Sequence, residues 1–577
     1  MERSPPAEPA ATLAPRAAVR YPSPVPTLAA GLPRTASRAI VFAAFAFLSV
    51  APASAQRLFG AGADASVLKR GQARWTIGAE WTVYDELLDA SGNRRPLGGR
   101  FSANLGGTST SWLGVTELGV RTALQDNSAA VSAGQLRLRE ELQRTLLPLG
   151  FELGITPRLT ISLLVPLSLT YVSGVADLNR ENPSPANVAL NPGLTITAVA
   201  LQATDVQTQA NAAVASLQST YPACFAPGPP PSCASTIALA SNTSALGSGV
   251  VAAYGQTARF APLAGSALQT QVLARFATLN TQLRAALGLL SDPITARPVP
   301  APVRMALNDL NTFLFSPAFG MNADTLTSLE RTALGDAELG ARYLWVDGIS
   351  AAPGDSARAR GGPRIRSTAF VTVRLPTSPP PYLGQLLDPG AGEAATAIEW
   401  RSTTDVAVGE NFWISVTGRY GMTLSDLVKR RVPSVTSQLL IPSNQVMEIS
   451  RKPGDYAEVE AIPRWMFNDY FAVSADYVLF LKRGDRYSGG GPSGVIPAIG
   501  PPTPFPDAAL LNTGHQTAQR IGVGFTYSTL ASSARGKGHI PLEIRYQRLQ
   551  TVGGEGTPFA TQDRLEFRLY SNLYGRR

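Results

Sequence analysis

The stretch Leu147–Tyr171, reading LPLGFELGITPRLTISLLVPLSLTY, constrains the fold of this chain more than any other. Leu147, Leu149, Phe151, Leu153 and Ile155 fall on one face, and Pro148, Gly150, Glu152 and Gly154 on the other. After Thr156-Pro157-Arg158 the pattern resumes. Leu159, Ile161, Leu163, Val165, Leu167, Leu169 and Tyr171 share a face opposite Thr160, Ser162, Leu164, Pro166, Ser168 and Thr170. A side-chain period of two is a strand, and two such runs around a break of about four residues make an antiparallel hairpin. Both runs exceed the usual strand of about 5–6 residues. Strands of about 9–11 residues or more, apolar on one side only, suit a wall between lipid and water. A soluble sandwich would accommodate one such hairpin, but the rest of the chain repeats it.

Upstream, Trp75, Ile77, Ala79, Trp81 and Val83 alternate with Arg74, Thr76, Gly78, Glu80 and Thr82. A weaker strand is expected near Phe101–Gly106. Trp112–Leu124 reads as another, with Thr116, Leu118, Val120, Thr122 and Leu124 against Glu117, Gly119 and Arg121. Alternation returns at Leu334 and continues through Ala337–Trp345, Thr368–Leu375, Ile398–Val408, Phe412–Arg419, Tyr456–Phe467, Phe471–Leu481, Ile521–Tyr527, Ile540–Tyr546 and Leu565–Tyr574. The count is about 14 strands, even as in single-chain bacterial barrels. Connections at 155–158, 409–411 and 468–469 are tight, whereas 174–333, 378–395, 424–453 and 484–513 are long and rich in Pro and Gly. Short periplasmic turns and long outer loops are the build of an outer-membrane barrel. The largest loop, 174–333, breaks the alternation. In Leu268–Leu290 its apolar residues step by threes and fours, and Asp205–Ser219 and Val303–Phe315 also read as helices.

The expected fold is therefore all-β, an antiparallel transmembrane β-barrel of about 14 strands carrying a large, partly α-helical extracellular insert. Opposite the apolar faces lie Glu80, Glu117, Arg121, Glu152, Glu338, Arg342, Arg374, Glu399, Arg401, Arg419, Glu460, Arg464, Arg520, Glu543 and Arg545. An Arg or Lys at mid-depth in lipid costs about 2–4 kcal/mol, so these residues are expected to face the lumen. There they either line a hydrated passage or form an Arg–carboxylate network that holds strands in register.

The address agrees with export. Arg34 and Arg38 precede the apolar run Ala39–Leu48 and then Ala53-Ser54-Ala55, the pattern of a Sec signal peptide cut after Ala55. Residues 1–33, rich in Pro and Ala, point to a start codon further along. Beyond Ala55 no run reaches about 18 consecutive apolar residues, so a membrane must be crossed by strands. The chain thus divides into 1–55 (extension and signal peptide), 56–173 (barrel, first part), 174–333 (insert) and 334–577 (barrel, second part). Cys224 and Cys233 lie close together in an exported chain and read as one local disulfide.

Other chemistries find little support. The 577 residues carry a net charge of +9, spread without a basic run interleaved with aromatics, which excludes a nucleic-acid surface. No phosphate or dinucleotide fingerprint occurs, so no cofactor is expected, and two cysteines without a nearby histidine make no metal site. The two histidines, His515 and His539, are placed at opposite ends of a barrel, and no nucleophile motif accompanies either. A hydrolase would require His515 beside a carboxylate or serine at the outer rim.

Two motifs carry a resemblance. Gly154-Ile-Thr-Pro-Arg-Leu-Thr-Ile161 resembles the G-[LIV]-T-D-R-L turn of outer-membrane proteins of the phenol meta-degradation pathway type, with Pro157 where that pattern has Asp. Leu334-Gly-Asp-Ala-Glu-Leu-Gly-Ala-Arg-Tyr343 resembles their L-G-D-x-x-L-G-x-K-Y strand. Those proteins are similar to the 14-stranded transporters of long-chain fatty acids and aromatic hydrocarbons. The resemblance implies a channel or transporter for small solutes, hydrophobic or aromatic ones included, whose partners are outer-membrane lipid and the solute. The alternative is a structural or surface-binding barrel that acts through its insert.

Overall fold

Where alternation is long and unbroken, the computed structural model has strands, and they close into a barrel. It describes residues 65–181, 183–316, 319–349, 364–409, 411–489, 505–534 and 540–573. The segment expected to be a signal peptide, His539 and Tyr574 lie outside the described residues. Fourteen strands share one antiparallel sheet. In chain order they are β1 (Gln72–Tyr84), β2 (Ala103–Gly106), β3 (Ser132–Thr156), β4 (Leu159–Leu178), β5 (Leu329–Leu334), β6 (Glu338–Asp347) and β7 (Arg364–Arg374). Then come β8 (Ala397–Val408), β9 (Phe412–Thr423), β10 (Tyr456–Met466), β11 (Phe471–Lys482), β12 (Gln516–Ser528), β13 (Leu542–Glu555) and β14 (Thr561–Asn572).

Twelve of these close the ring, in the order β3-β1-β14-β13-β12-β11-β10-β9-β8-β7-β6-β4, with β4 paired back onto β3. The barrel, expected to have about 14 strands, closes with twelve; the other two strands of the sheet, β2 and β5, stand outside the ring. β2 follows β1 along the edge of β3, and β5 precedes β6 along the edge of β4. The first and last strands pair over twelve positions, from Gln72 opposite Asn572 to Val83 opposite Thr561. Outward residues form an exposed apolar belt: Trp75, Ile77, Leu149, Ile161, Leu339, Val371, Trp400, Val523 and Phe567 among them. Trp345, Tyr420, Trp465 and Tyr171 lie exposed near strand ends, as interfacial girdles do. A closed antiparallel ring with an apolar belt leaves no backbone group for lipid to satisfy, so this is a membrane-spanning barrel of the outer-membrane kind.

The loop sorting is less complete than the sequence implies. At the end of the tight turns, the connections from Asp347 to Arg364 and from Ser528 to Leu542 are also long, and the link from Glu555 to Thr561 at the other end is short.

The hairpin β3–β4 is longer than its neighbours and rises about 40 Å beyond the membrane boundary along the strand, at about 3.3 Å per residue over 132–143. Along it the faces exchange chemistry. Below the pair Gln143–Tyr171 the outward positions are Leu147, Leu149, Ile161 and Leu163 and the inward ones include Glu152, Thr160 and Ser168. Above that pair the outward positions are Arg137, Arg139 and Glu141 on β3 and Ser173, Val175 and Asp177 on β4, while Leu136, Leu138, Leu142, Val172 and Leu178 are buried inside together with Glu140. Midway along the hairpin, Pro148 stands opposite Pro166. Neither can donate to a ladder, and β1 pairs β3 on either side of this point, Ile77 opposite Leu149 and Glu80 opposite Leu146.

What fills the upper hairpin is helical. α1 (Ser111–Leu124), α2 (Thr197–Thr220), α3 (Ala234–Tyr254), α4 (Ala267–Leu287) and α5 (Leu307–Phe315) share one apolar core with Leu136, Leu138, Val172 and Leu178. α4 buries Leu268, Val272, Phe276, Leu279 and Leu283, the stripe expected of it, and ends where Gly288 takes a left-handed φ of 64°. The disulfide Cys224–Cys233 joins the end of α2 to the start of α3. α1 is a correction, because Trp112–Leu124 was expected as a strand. Its buried residues, Leu113, Thr116, Val120 and Ala123, step by threes and fours, and Leu118, which alternation puts on one face with Thr116 and Val120, is exposed while those two are buried. α1 crosses α3 closely. A Cβ on Gly119 would sit 2.8 Å from the Ala253 nitrogen, so only glycine fits there.

Candidate functional site: the barrel lumen and its mouth

The inward faces of the ring bring most of the sequence-identified charges together. Glu152 accepts from Arg74 Nε and lies 3.7 Å from Arg342. Arg568 pairs with Glu566 at 2.7 Å and Glu543 at 3.0 Å, and Glu543 also meets Arg545 at 3.3 Å. Arg374 reaches Glu338 at 3.2 Å, and Arg401 reaches Glu399 at 2.5 Å. Arg419 lies between Glu458 at 3.4 Å and Glu460 at 3.2 Å, and Glu80 meets Arg564 at 3.3 Å. Arg464 and Arg520 are half-buried on the same ring. Tyr456 donates to Glu399 at 2.6 Å and accepts from Arg374 at 3.3 Å, linking β10 to β7 across two intervening strands.

Glu117 and Arg121 are the exceptions. They sit on α1, paired with each other at 2.6 Å one helical turn apart, and hold the segment before β3 by accepting from Val131 N and donating to Ala129 O. Alternation placed them on a strand; the helix puts them among the helices packed on the upper hairpin instead.

Two further parts complete the site. At the end of the tight turns, residues 65–71 enter the ring. Ala65 N donates to Asp405 at 2.9 Å, Leu68 N to Thr160 at 3.0 Å, and Ser66 O accepts from Arg342 at 2.9 Å. Asp405 is itself held by Arg366 and Ser415, both at 2.8 Å. At the opposite end, residues of loops 378–395 and 424–453, with Asp485, Tyr487, Leu510, Leu511 and Thr513, line a cavity of about 270 Å³ that reaches Glu393. Glu393 pairs downward with Arg374 at 3.1 Å and Lys482 at 3.0 Å. Cavity and lumen thus share a carboxylate.

The lumen is tightly filled. Arg74, Arg342, Arg568 and Arg401 are each 3–4% exposed, which an open, water-filled passage would not allow. Ion pairs at this depth hold neighbouring strands together, and removing one partner strands the other at a cost of about 3–5 kcal/mol.

Arg74, Asp405, Glu566 and Arg568 lie inward, as the same alternation places them. Glu393 sits in an aperiodic loop and carried no signal. His515 does lie beside a carboxylate, Glu555 at 2.8 Å, but both are exposed at the rim and, among the described residues, no hydroxyl bonds to the imidazole. Among the described residues no group of three His, Cys, Asp or Glu side chains could hold a metal ion.

No protein-family model and no curated protein matches the chain. Solved structures do resemble it. An outer membrane channel from Pseudomonas putida F1 is 8% identical, with 88% of this chain and 98% of that one covered at a TM-score of 0.39. The P. putida toluene transporter TodX is 8% identical, with 86% and 88% covered at 0.21. The β domain of the Bordetella autotransporter BrkA is 7% identical, with 86% and 99% covered at 0.26. No residue role passes from these proteins to this chain.

Proposed function

We propose that the protein is an outer-membrane channel for small solutes, hydrophobic or aromatic ones included. One observation carries this reading. A cavity of about 270 Å³ opens among the extracellular loops, is walled mainly by apolar side chains, and reaches Glu393, which pairs with Arg374 of the lumen network. A solute resting there already touches the gate below it. Passage would require the pairs beneath Glu393 to part and residues 65–71 to shift. The inward charges have a structural role first and a solute-facing one only when the network opens.

A second reading rests on the filled lumen itself. A barrel locked by ion pairs and carrying a helical extracellular part would suit surface binding. Uptake into liposomes separates the two readings. Toluene, decanoate and glucose would each be offered to the protein and to a variant lacking residues 56–70. The channel reading expects entry of the apolar solutes, faster in the truncated protein. Equal impermeability of both to all three solutes would reject it in favour of surface binding.

A further inference from the structure

The mouth cavity contains one basic side chain that the lumen network does not use. Arg430 lies on the short strand Asp426–Arg431, on the same side as Val428, and lines the cavity. The other basic groups of the lining are engaged or face water. Arg451 is held by Asp426, and Arg100 by Glu140 at 3.5 Å. Arg431 donates to four carbonyls, those of Leu383 at 2.8 Å, Met321 at 2.9 Å, Ile441 at 2.6 Å and Asn322 at 2.8 Å. Lys429 is exposed on the opposite side of the strand. Of the lining's basic side chains that are not exposed, Arg430 alone has, among the described residues, no hydrogen-bond or ion-pair partner.

The carboxylates facing it are already committed. Asp426 holds Arg451, and Asp485 accepts from Gly454 N at 2.8 Å and pairs with Lys482 at 3.1 Å. Tyr487 and Arg451 are its other charged or titratable neighbours. Burial pushes the Arg430 guanidinium below its usual range, the sign of a desolvation that the surrounding charges do not repay. The walls around it include Phe101, Leu142, Val428, Leu439, Tyr487 and Leu511. A charged fork at the edge of an apolar chamber matches one class of small molecule, a carboxylate on an apolar body. The volume of about 270 Å³ lies just under the range of about 300–1,000 Å³ that takes drug-sized ligands, so a single ring or a short chain fits.

We propose that the mouth cavity selects small monocarboxylates with apolar bodies, the carboxylate paired with Arg430. This rests on the reading of the cavity as the docking site of a channel. The test is calorimetric titration of the full barrel in detergent with 4-phenylbutyrate and with its neutral counterpart 4-phenylbutanamide. The wild type should bind the carboxylate at least about tenfold more tightly, as a charge-assisted pair in a partly buried site provides. Arg430→Gln should bring the two probes within twofold while leaving the affinity for the amide unchanged. Arg430→Lys should keep part of the preference, and Lys429→Gln all of it. Equal binding of the two probes by the wild type, or binding of neither, overturns the proposal without recourse to any variant. So does a preference that survives Arg430→Gln. Charge-selective binding without liposome flux would sink the channel and keep the site; flux of both probes without selectivity would do the reverse.

Discussion

The lower and upper halves of the β3–β4 hairpin are one continuous ladder in opposite surroundings. Backbone pairing runs unbroken in kind from Thr156 opposite Leu159 up to Leu136 opposite Leu178. The direction in which each side chain points is fixed by the pleat, so odd-numbered residues of β3 face outward throughout. Below Gln143 outward means lipid, and Leu147 and Leu149 stand there. Above it outward means water, and Arg137 and Arg139 take their place. The interior inverts in step, from Glu152 bound by Arg74 to Leu136 and Leu138 buried against helices. A strand can therefore be read twice, once for its period and once for the sign of that period. The sign change locates the membrane surface.

The comparison can be broken at four points. The largest effect is expected inside the lower half. Glu152→Leu leaves Arg74 and Arg342 facing each other without their carboxylate, and unfolding of the detergent-folded barrel should become easier by about 3–5 kcal/mol. Inside the upper half an apolar residue matters equally but locally. Leu138→Ala should cost about 2–5 kcal/mol, seen as earlier loss of the helical circular dichroism signal while the barrel still resists detergent before boiling. Outside, Leu149→Arg should cost about 2–4 kcal/mol in folding into bilayers, whereas Gln143→Arg, one step above the boundary, should change nothing measurable. Equal costs for those two would mean that the boundary has been misplaced. The smallest effect is reduction of Cys224–Cys233. It frees one short loop between α2 and α3, a local loss of about 2–3 kcal/mol by the chain-entropy estimate, with the gel mobility of the unboiled barrel unchanged.

The lower half was legible in the sequence because lipid enforces strict alternation. Ile398, Trp400 and Val406 were assigned outward and Glu399, Arg401 and Asp405 inward, and each of those three inward residues is buried. The upper part was legible only where large side chains mark a stripe, as in α4. α3 went unrecognised because Ala, Ser, Thr and Gly fill most of its surface, and such residues carry little hydrophobic period. α1 was misassigned because Thr116, Val120 and their neighbours satisfy both periods over a short window, and only packing against α3 decides between them. The mouth cavity was beyond reach. Glu393 and Arg430 come from loops with no regular spacing, brought together by strands that begin far apart in the chain.

The pairing of β1 with β14 makes residues 500 positions apart neighbours, Gln72 beside Asn572. Joining ends so distant carries a loop-closure cost that grows only slowly with length, but it can be met only once the last strand exists. Until then both β1 and β13 are bare edges, and any chain that stops short of residue 561 has no ring to enter. Closure also seats residues 65–71, which hydrogen-bond across strands contributed by the middle of the sequence. The strands that flank this segment, β1 from residue 72 and β14 up to residue 572, therefore meet on one rim, and their pairing is the last step that holds it.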